Sequence, residues 1–406
     1  MSHERQVMEP DSYTVDASLW ARGRMALAII ALLGWAGSVA ALRTDATRFH
    51  VSYLIAFVFC LTLALGALFF VMLQHLTGAA WSVTMRRTAE NMTAVIPAAA
   101  VLFVPIAISL PLLYEWARPE AVAADHVLQG KAAYLNSSFF YIRAALYFAV
   151  WSLWAMRLYQ LSTASDAGLG GSEAALVRTR KSERWSAPGM ILLTVTTALA
   201  AFDWLMSLDP HWSSTMFGVY LYSGAALGGI AALTLILLAF RRAGLLVRSV
   251  NEEHYHDLGK WVFALTVFWA YIAFCQYMLI WYANLPEETA WFRLRLAGNW
   301  RVVGALLVAG HFFIPFLALV SRAAKRHVSV LGVTAAWVLL MHYIDLYWIA
   351  MPVFAKSAVP NWIDLAPLAA IGGTLGLVFW WRIKSHALAP TGDIRFERAL
   401  EFTNVF

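Results

Sequence analysis

The sequence predicts an all-α integral membrane protein of about ten transmembrane helices, and three observations point there. Hydrophobic residues make up 61% of the 406 and charged residues 13%, against roughly half and a quarter in a soluble domain. Apolar runs recur along the whole chain. A helical crossing takes about 20 such residues and a barrel strand about 10 alternating ones, so these long unbroken runs predict helices. Finally, the basic residues cluster in short segments beside the runs, which marks membrane orientation; the formal net charge of +6 therefore does not indicate nucleic acid.

The spans fall at 25–42, 51–76, 92–114, 139–161, 188–208, 215–240, 258–283, 299–320, 328–351 and 362–382. They divide the chain into a tail (1–24), spans 1–4 (25–161), a loop (162–187), spans 5–10 (188–382) and a second tail (383–406). With Arg301 and Arg382 at span ends counted with their adjoining segments, nineteen Lys and Arg lie on the side of the two tails, eight on the other, and Arg143, Arg157 and Lys260 lie within spans. The rich side faces the cytoplasm, which puts both termini there. The first tail carries Glu4, Glu9, Asp11 and Asp16 and no small-residue cleavage site, so it reads as a cytoplasmic tail rather than a signal peptide. Segment 162–187 is rich in Gly, Ser and charge and predicts the longest cytoplasmic loop. Cys60 and Cys275 both fall in apolar runs and read as small core residues. His254 and His256, beside Glu252 and Glu253, are too closely consecutive for a metal site and read as a solvated loop.

A repeat organises the spans. Span 5 ends with Asp203 seven residues before Pro210, and span 9 with Asp345 seven residues before Pro352. Spans 2 and 6 each run into an Arg pair, Arg86-Arg87 and Arg241-Arg242. This predicts two parallel four-helix bundles, spans 2–5 and 6–9, flanked by spans 1 and 10.

Ionisable groups inside lipid cost about 2.5–3.5 kcal/mol on insertion scales and usually face a bundle interior or water. Asp203 sits deep in span 5. His342 and Asp345 are three apart on one face of span 9, close enough to share a proton. With Lys260 and His311 they form a ladder of titratable groups through the second bundle, bridged by water or by hydroxyls such as Tyr343 and Tyr347. The alternative is structural: histidines bonded between helices, and Lys260 reaching to the interface. Arg143 in span 4 predicts a structural pair with a carboxylate.

Several stretches resemble the ActF family, the F subunits of bacterial alternative complex III. They are LGALFFVMLQHLTGAAWSVTMRR (65–87), QGKAAYLNSSFFYIRAALYF (129–148), FDWLMSLDPHWSSTMFGVYLYSG (202–224), DLGKWVFALTVFWAYIAFCQYMLIWYANLPEET (257–289), HFFIPFLALVSRAAKR (311–326) and MHYIDLYWIAMP (341–352). The resemblance implies an NrfD-like or polysulfide-reductase-like subunit, two four-helix bundles with flanking helices. It implies a bacterial inner-membrane quinol:cytochrome c oxidoreductase within a respiratory electron-transport chain. In such a complex this chain would anchor redox subunits and offer a proton-translocation path. Its partners would be the C subunit paralogue, subunits carrying haem c and iron–sulfur clusters, membrane lipids and a terminal oxidase. The chain itself has no CxxCH and no cysteine array, so those centres would sit in the partners, while quinone or menaquinone remains a ligand of interest. Asp203, Lys260, His311, His342 and Asp345 carry over as proton-path candidates. Two other readings stand: direct quinol oxidation by this chain, and a proton-coupled secondary transporter.

Overall fold

The structure is a computed structural model that describes residues 12–166 and 171–404. Ten helices among them are long and apolar enough to cross a membrane. They are span 1 (Ala17–Thr44), span 2 (Ala46–Leu76), span 3 (Val83–Ile108), span 4 (Ser137–Asp166), span 5 (Gly171–Leu208), span 6 (Met216–Arg242), span 7 (Glu252–Ala283), span 8 (Trp300–Leu319), span 9 (Val328–Val353) and span 10 (Trp362–Ile383). The chain is an all-α membrane protein.

Spans 2, 3, 4 and 5 pack in a closed ring, and spans 6, 7, 8 and 9 form a second. Spans 2 and 6 join the rings, and spans 1 and 10 pack on each other and against span 2. Lipid offers no hydrophobic drive for helices to associate, so small residues that admit close backbone approach decide these contacts. Gly66 is such a place: a Cβ there would lie 2.0 Å from the Ala225 carbonyl oxygen. Gly34 and Gly373 do the same for spans 1 and 10.

Helix starts follow their capping residues. Asp16 and Asp45 accept from the backbone N–H of Leu19 and Arg48 at 2.8 and 2.9 Å. Asn251 and Asn361 open spans 7 and 10 in reciprocal capping boxes with His254 and Asp364. The repeat seen in the sequence has a structural counterpart. Spans 5 and 9 both finish in a 3₁₀ turn, Met206–Leu208 and Met351–Val353. In each, a side chain from elsewhere caps a terminal carbonyl: Tyr114 Oη donates to Trp204 O, and Arg295 donates to Ile349 O.

Three expectations need correction. The 162–187 loop is helical on both flanks, span 4 running to Asp166 and span 5 starting at Gly171, with 167–170 outside the described residues. Its charges predicted a loop, but they lie on the helical ends of spans 4 and 5. Span 3 begins at Val83, so Arg86 and Arg87 are not in a loop. Every residue from Val83 to Thr93 is buried, because the C-terminal tail folds back beneath the bundles and supplies partners. Arg86 pairs with Glu90 at 3.2 Å and Asp393 at 2.5 Å; Arg87 pairs with Glu90 at 3.0 Å and Asp166 at 2.8 Å. Lastly, His254 and His256 are buried in the first turns of span 7 rather than solvated. Glu4, Glu9 and Asp11 lie outside the described residues.

Tyr13 O accepts from Leu388 N at 2.8 Å, so both tails lie on one face of the molecule, here the termini face.

Candidate functional site

The two aspartates of the repeat have different surroundings. Asp203, in the first bundle, accepts from Arg143 Nε and the Arg143 terminal nitrogen at 2.8 and 2.9 Å, and from Tyr147 Oη at 2.8 Å. Arg143 lies over the Tyr134 ring at 3.9 Å and donates to the Tyr134 carbonyl. A bidentate guanidinium fixes both charge and orientation, so this carboxylate has its counter-ion built in. The structural role expected of Arg143 is what the geometry provides.

Asp345, in the second bundle, has no cation against it among the described residues. Its two oxygens accept from Tyr220 Oη of span 6 and Trp269 Nε1 of span 7, the latter at 3.2 Å. Both donors are neutral. The side chain is 2% exposed. A buried charge with no ionic partner is expensive, and for a carboxylate the available counter-ion is a proton.

His342 lies one turn away but makes no hydrogen bond to Asp345. Its Nε2 is 3.0 Å from Thr62 Oγ1 of span 2. That hydroxyl spends its proton on the Phe59 carbonyl at 2.7 Å, so the imidazole must donate through Nε2. Nδ1 is then the bare nitrogen, and it has no partner. It faces Gly224: a Cβ on Gly224 would meet His342 Cε1 at 3.0 Å, His342 Nδ1 at 3.2 Å and Trp269 Cδ1 at 3.8 Å. The missing side chain leaves a gap between the free imidazole nitrogen and the indole that holds Asp345.

His311 lies against Trp269, ring centroids 3.9 Å apart and planes tilted by 33°. It lies in a π-helical segment, Leu307–Phe313. Pro315, four residues on, cannot donate to the His311 carbonyl and its ring crowds it, which widens the turn. The loosened Gly310 carbonyl is taken by Trp337 Nε1 at 2.7 Å. Neither His311 nitrogen has a partner, and the residue is fully buried.

The other predicted members lie apart from this group. Lys260 pairs with Asp257 at 2.6 Å and its side chain is 47% exposed. It sits at the termini-face rim, reaching Asn404 of the tail. Tyr343 donates to the Asp364 carbonyl at 2.8 Å. Tyr347 meets Arg48 and Asp364, which pair at 2.6 Å. Both hydroxyls therefore serve the joint with span 10, on the far side of span 9 from Asp345. The four-member ladder contracts to Asp345 and His311, both against Trp269, with His342 held by Thr62 across the Gly224 position.

Tyr220, Trp269 and Thr62 were missed in the sequence, since nothing in their spacing ties them to span 9. The Asn361–Asp364 capping box was a legible signal for Asp364. Compared with known protein families and with curated proteins, the chain matches neither a family model nor an individual sequence.

Proposed function

We propose that this chain is a proton-handling membrane subunit of a quinol:electron-acceptor oxidoreductase of the alternative complex III type. In this reading it lies in a bacterial inner membrane with its termini in the cytoplasm and anchors partners that carry haem c and iron–sulfur clusters. The observation that carries the proton role is Asp345, a buried carboxylate held only by neutral donors, beside a histidine with a bare nitrogen. Such a carboxylate can take up one proton and release it without breaking an ion pair, and the imidazole Nδ1 across the Gly224 gap offers a second stop. Asp203 is the internal contrast, since protonating it would strand Arg143. The architecture of two four-helix rings with flanking spans, and the basic residues concentrated on the termini face, support the family and orientation.

Two measurements test this. The tagged chain, purified gently from native membranes, should bring multi-haem c and iron–sulfur subunits and quinol oxidation activity; a colourless single protein would overturn the complex assignment. In that complex, Asp345→Asn should lower the protons moved per electron. Unchanged coupling in both Asp345→Asn and His342→Ala would remove the proton role.

A second reading, direct quinol oxidation, has one observation in its favour. A cleft of about 380 Å³ on the face opposite the termini is lined by Phe202, Leu279 and Ile280 with Ser214, Gln276 and Glu288. It combines an apolar wall with hydroxyl and amide groups, as a quinone ring would require. A photoactivatable quinone analogue that labels only a neighbouring subunit would exclude it.

A further inference from the structure

We propose that the cleft between spans 3, 4 and 10 on the termini face binds the phosphodiester headgroup of an anionic phospholipid, held by Arg382, with an acyl chain along its apolar wall. This stands independently of the proton and quinol readings.

Arg382 is at the end of span 10. Its guanidinium lies over the Tyr159 ring at 3.9 Å, and among the described residues the side chain makes no hydrogen bond or ion pair. Its Nε is shut off from solvent without a partner. The other arginines around it are matched: Arg86 with Glu90 and Asp393, Arg87 with Glu90 and Asp166, Arg395 with Glu183 and Asp393. Arg382 is thus the arginine of this group that has no carboxylate partner among the described residues. A planar fork suits the oxygens of a phosphodiester.

The space beside it offers room for a phosphodiester, with an apolar wall continuing from it. The cleft holds about 180 Å³, lined by Arg382, Tyr159 and Glu90 at its polar end and by Ala94, Met156 and Val378 along its apolar wall. The Glu90 carboxylate does not oppose an anion as a free charge would, because Arg86 Nε and Arg87 Nε both donate to it at 3.2 and 3.0 Å. Trp381 at the rim is 64% exposed, an aromatic placed where headgroups meet acyl chains. The lining comes from spans 3, 4 and 10, so a lipid would seat between helices. Basic pockets between spanning helices are a recurrent headgroup site.

The full chain in mild detergent, studied by native mass spectrometry, tests this with phosphatidylglycerol, phosphatidylcholine and inorganic phosphate as probes. The wild type should retain one phosphatidylglycerol in preference to phosphatidylcholine. Arg382→Gln should weaken retention about tenfold, as expected for the loss of one charge-assisted contact, and Arg382→Lys should restore part of it. Ala94→Leu, which fills the apolar wall and keeps the charge, should weaken it too, and this variant decides the matter if Arg382→Gln does not fold. Retention unaffected by either change, or displacement of the lipid by excess inorganic phosphate alone, would overturn the assignment; the latter would mark an anion site with no lipid specificity.

Discussion

Tyr220 and Asp345, 125 positions apart, meet inside the second bundle, where the phenol donates to the carboxylate. The same Asp–Pro signature in the first bundle brings Asp203 to Arg143 instead. One sequence repeat thus carries two electrostatic solutions, one closed by a cation and one held by neutral donors.

That difference should appear in stability. Asp203→Asn leaves a buried guanidinium without its ion and should cost about 3–5 kcal/mol. Asp345→Asn keeps an oxygen for Tyr220 but turns an amide N–H toward Trp269, and should cost about 1 kcal/mol. Denaturation midpoints of the two variants in one detergent compare them directly, and equal losses would contradict the contrast.

Gly224→Ala places a methyl group in the gap between His342 Nδ1 and Trp269. The imidazole must shift by a few tenths of an ångström. Proton movement should fall while the melting temperature changes by only a few degrees, as expected for about 1 kcal/mol in a bundle of this size. Proteoliposomes of the assembled complex with an internal pH dye report the first quantity. Full proton movement would mean that the gap has no part in transfer.

Gly66→Ala acts where the two rings join. Its methyl would overlap the Ala225 carbonyl, so spans 2 and 6 must separate, at about 1–3 kcal/mol. Gly130→Ala, with open space at the Cβ position, is the matched control and should be near neutral. Thermal unfolding of the pair shows whether the inter-bundle contact limits stability.

Lys260→Ala should leave proton coupling within about twofold of wild type, since its side chain is half exposed and paired at the surface. A loss as large as that of Asp345→Asn would return Lys260 to the pathway.

The docking of the C-terminal tail should depend on pH in one direction only. Burial pushes the Asp393 carboxyl up, but Arg86, aided by Arg395, outweighs this and holds it at about 2, below its ordinary 3.8. A carboxyl lowered in the folded state stabilises fully above its unfolded value and loses that contribution as pH falls toward the folded one. The tail should therefore stay docked from neutral pH down to about 4 and loosen below it. Limited proteolysis across that range, with Asp393→Asn as the undocked reference, follows the change. Release on raising the pH from 5 to 8 would contradict it.

How much of this was legible in the sequence varies by residue. The span pattern was readable, and so was the need of Arg143 for a carboxylate, because apolar run length and buried-charge cost act locally; that the carboxylate is Asp203 was not. Nor were the directions of Tyr343 and Tyr347. A helix of known span has a known face spacing, but its rotation about its own axis is set by its neighbours. Tyr343 and Tyr347 share span 9 with Asp345 yet turn toward span 10.

The sequence by itself determined ten spanning helices and the sparse set of ionisable groups among them. Those follow from the cost of exposing backbone and charge to lipid, which any arrangement of the helices must respect. Only the tertiary structure decided which carboxylate has a cation, which imidazole nitrogen is bare, and that Arg86 and Arg87 are interior residues served by a returning tail. These depend on close packing at glycines such as Gly66 and Gly224, where a single missing methyl group sets the distance between helices far apart in the chain.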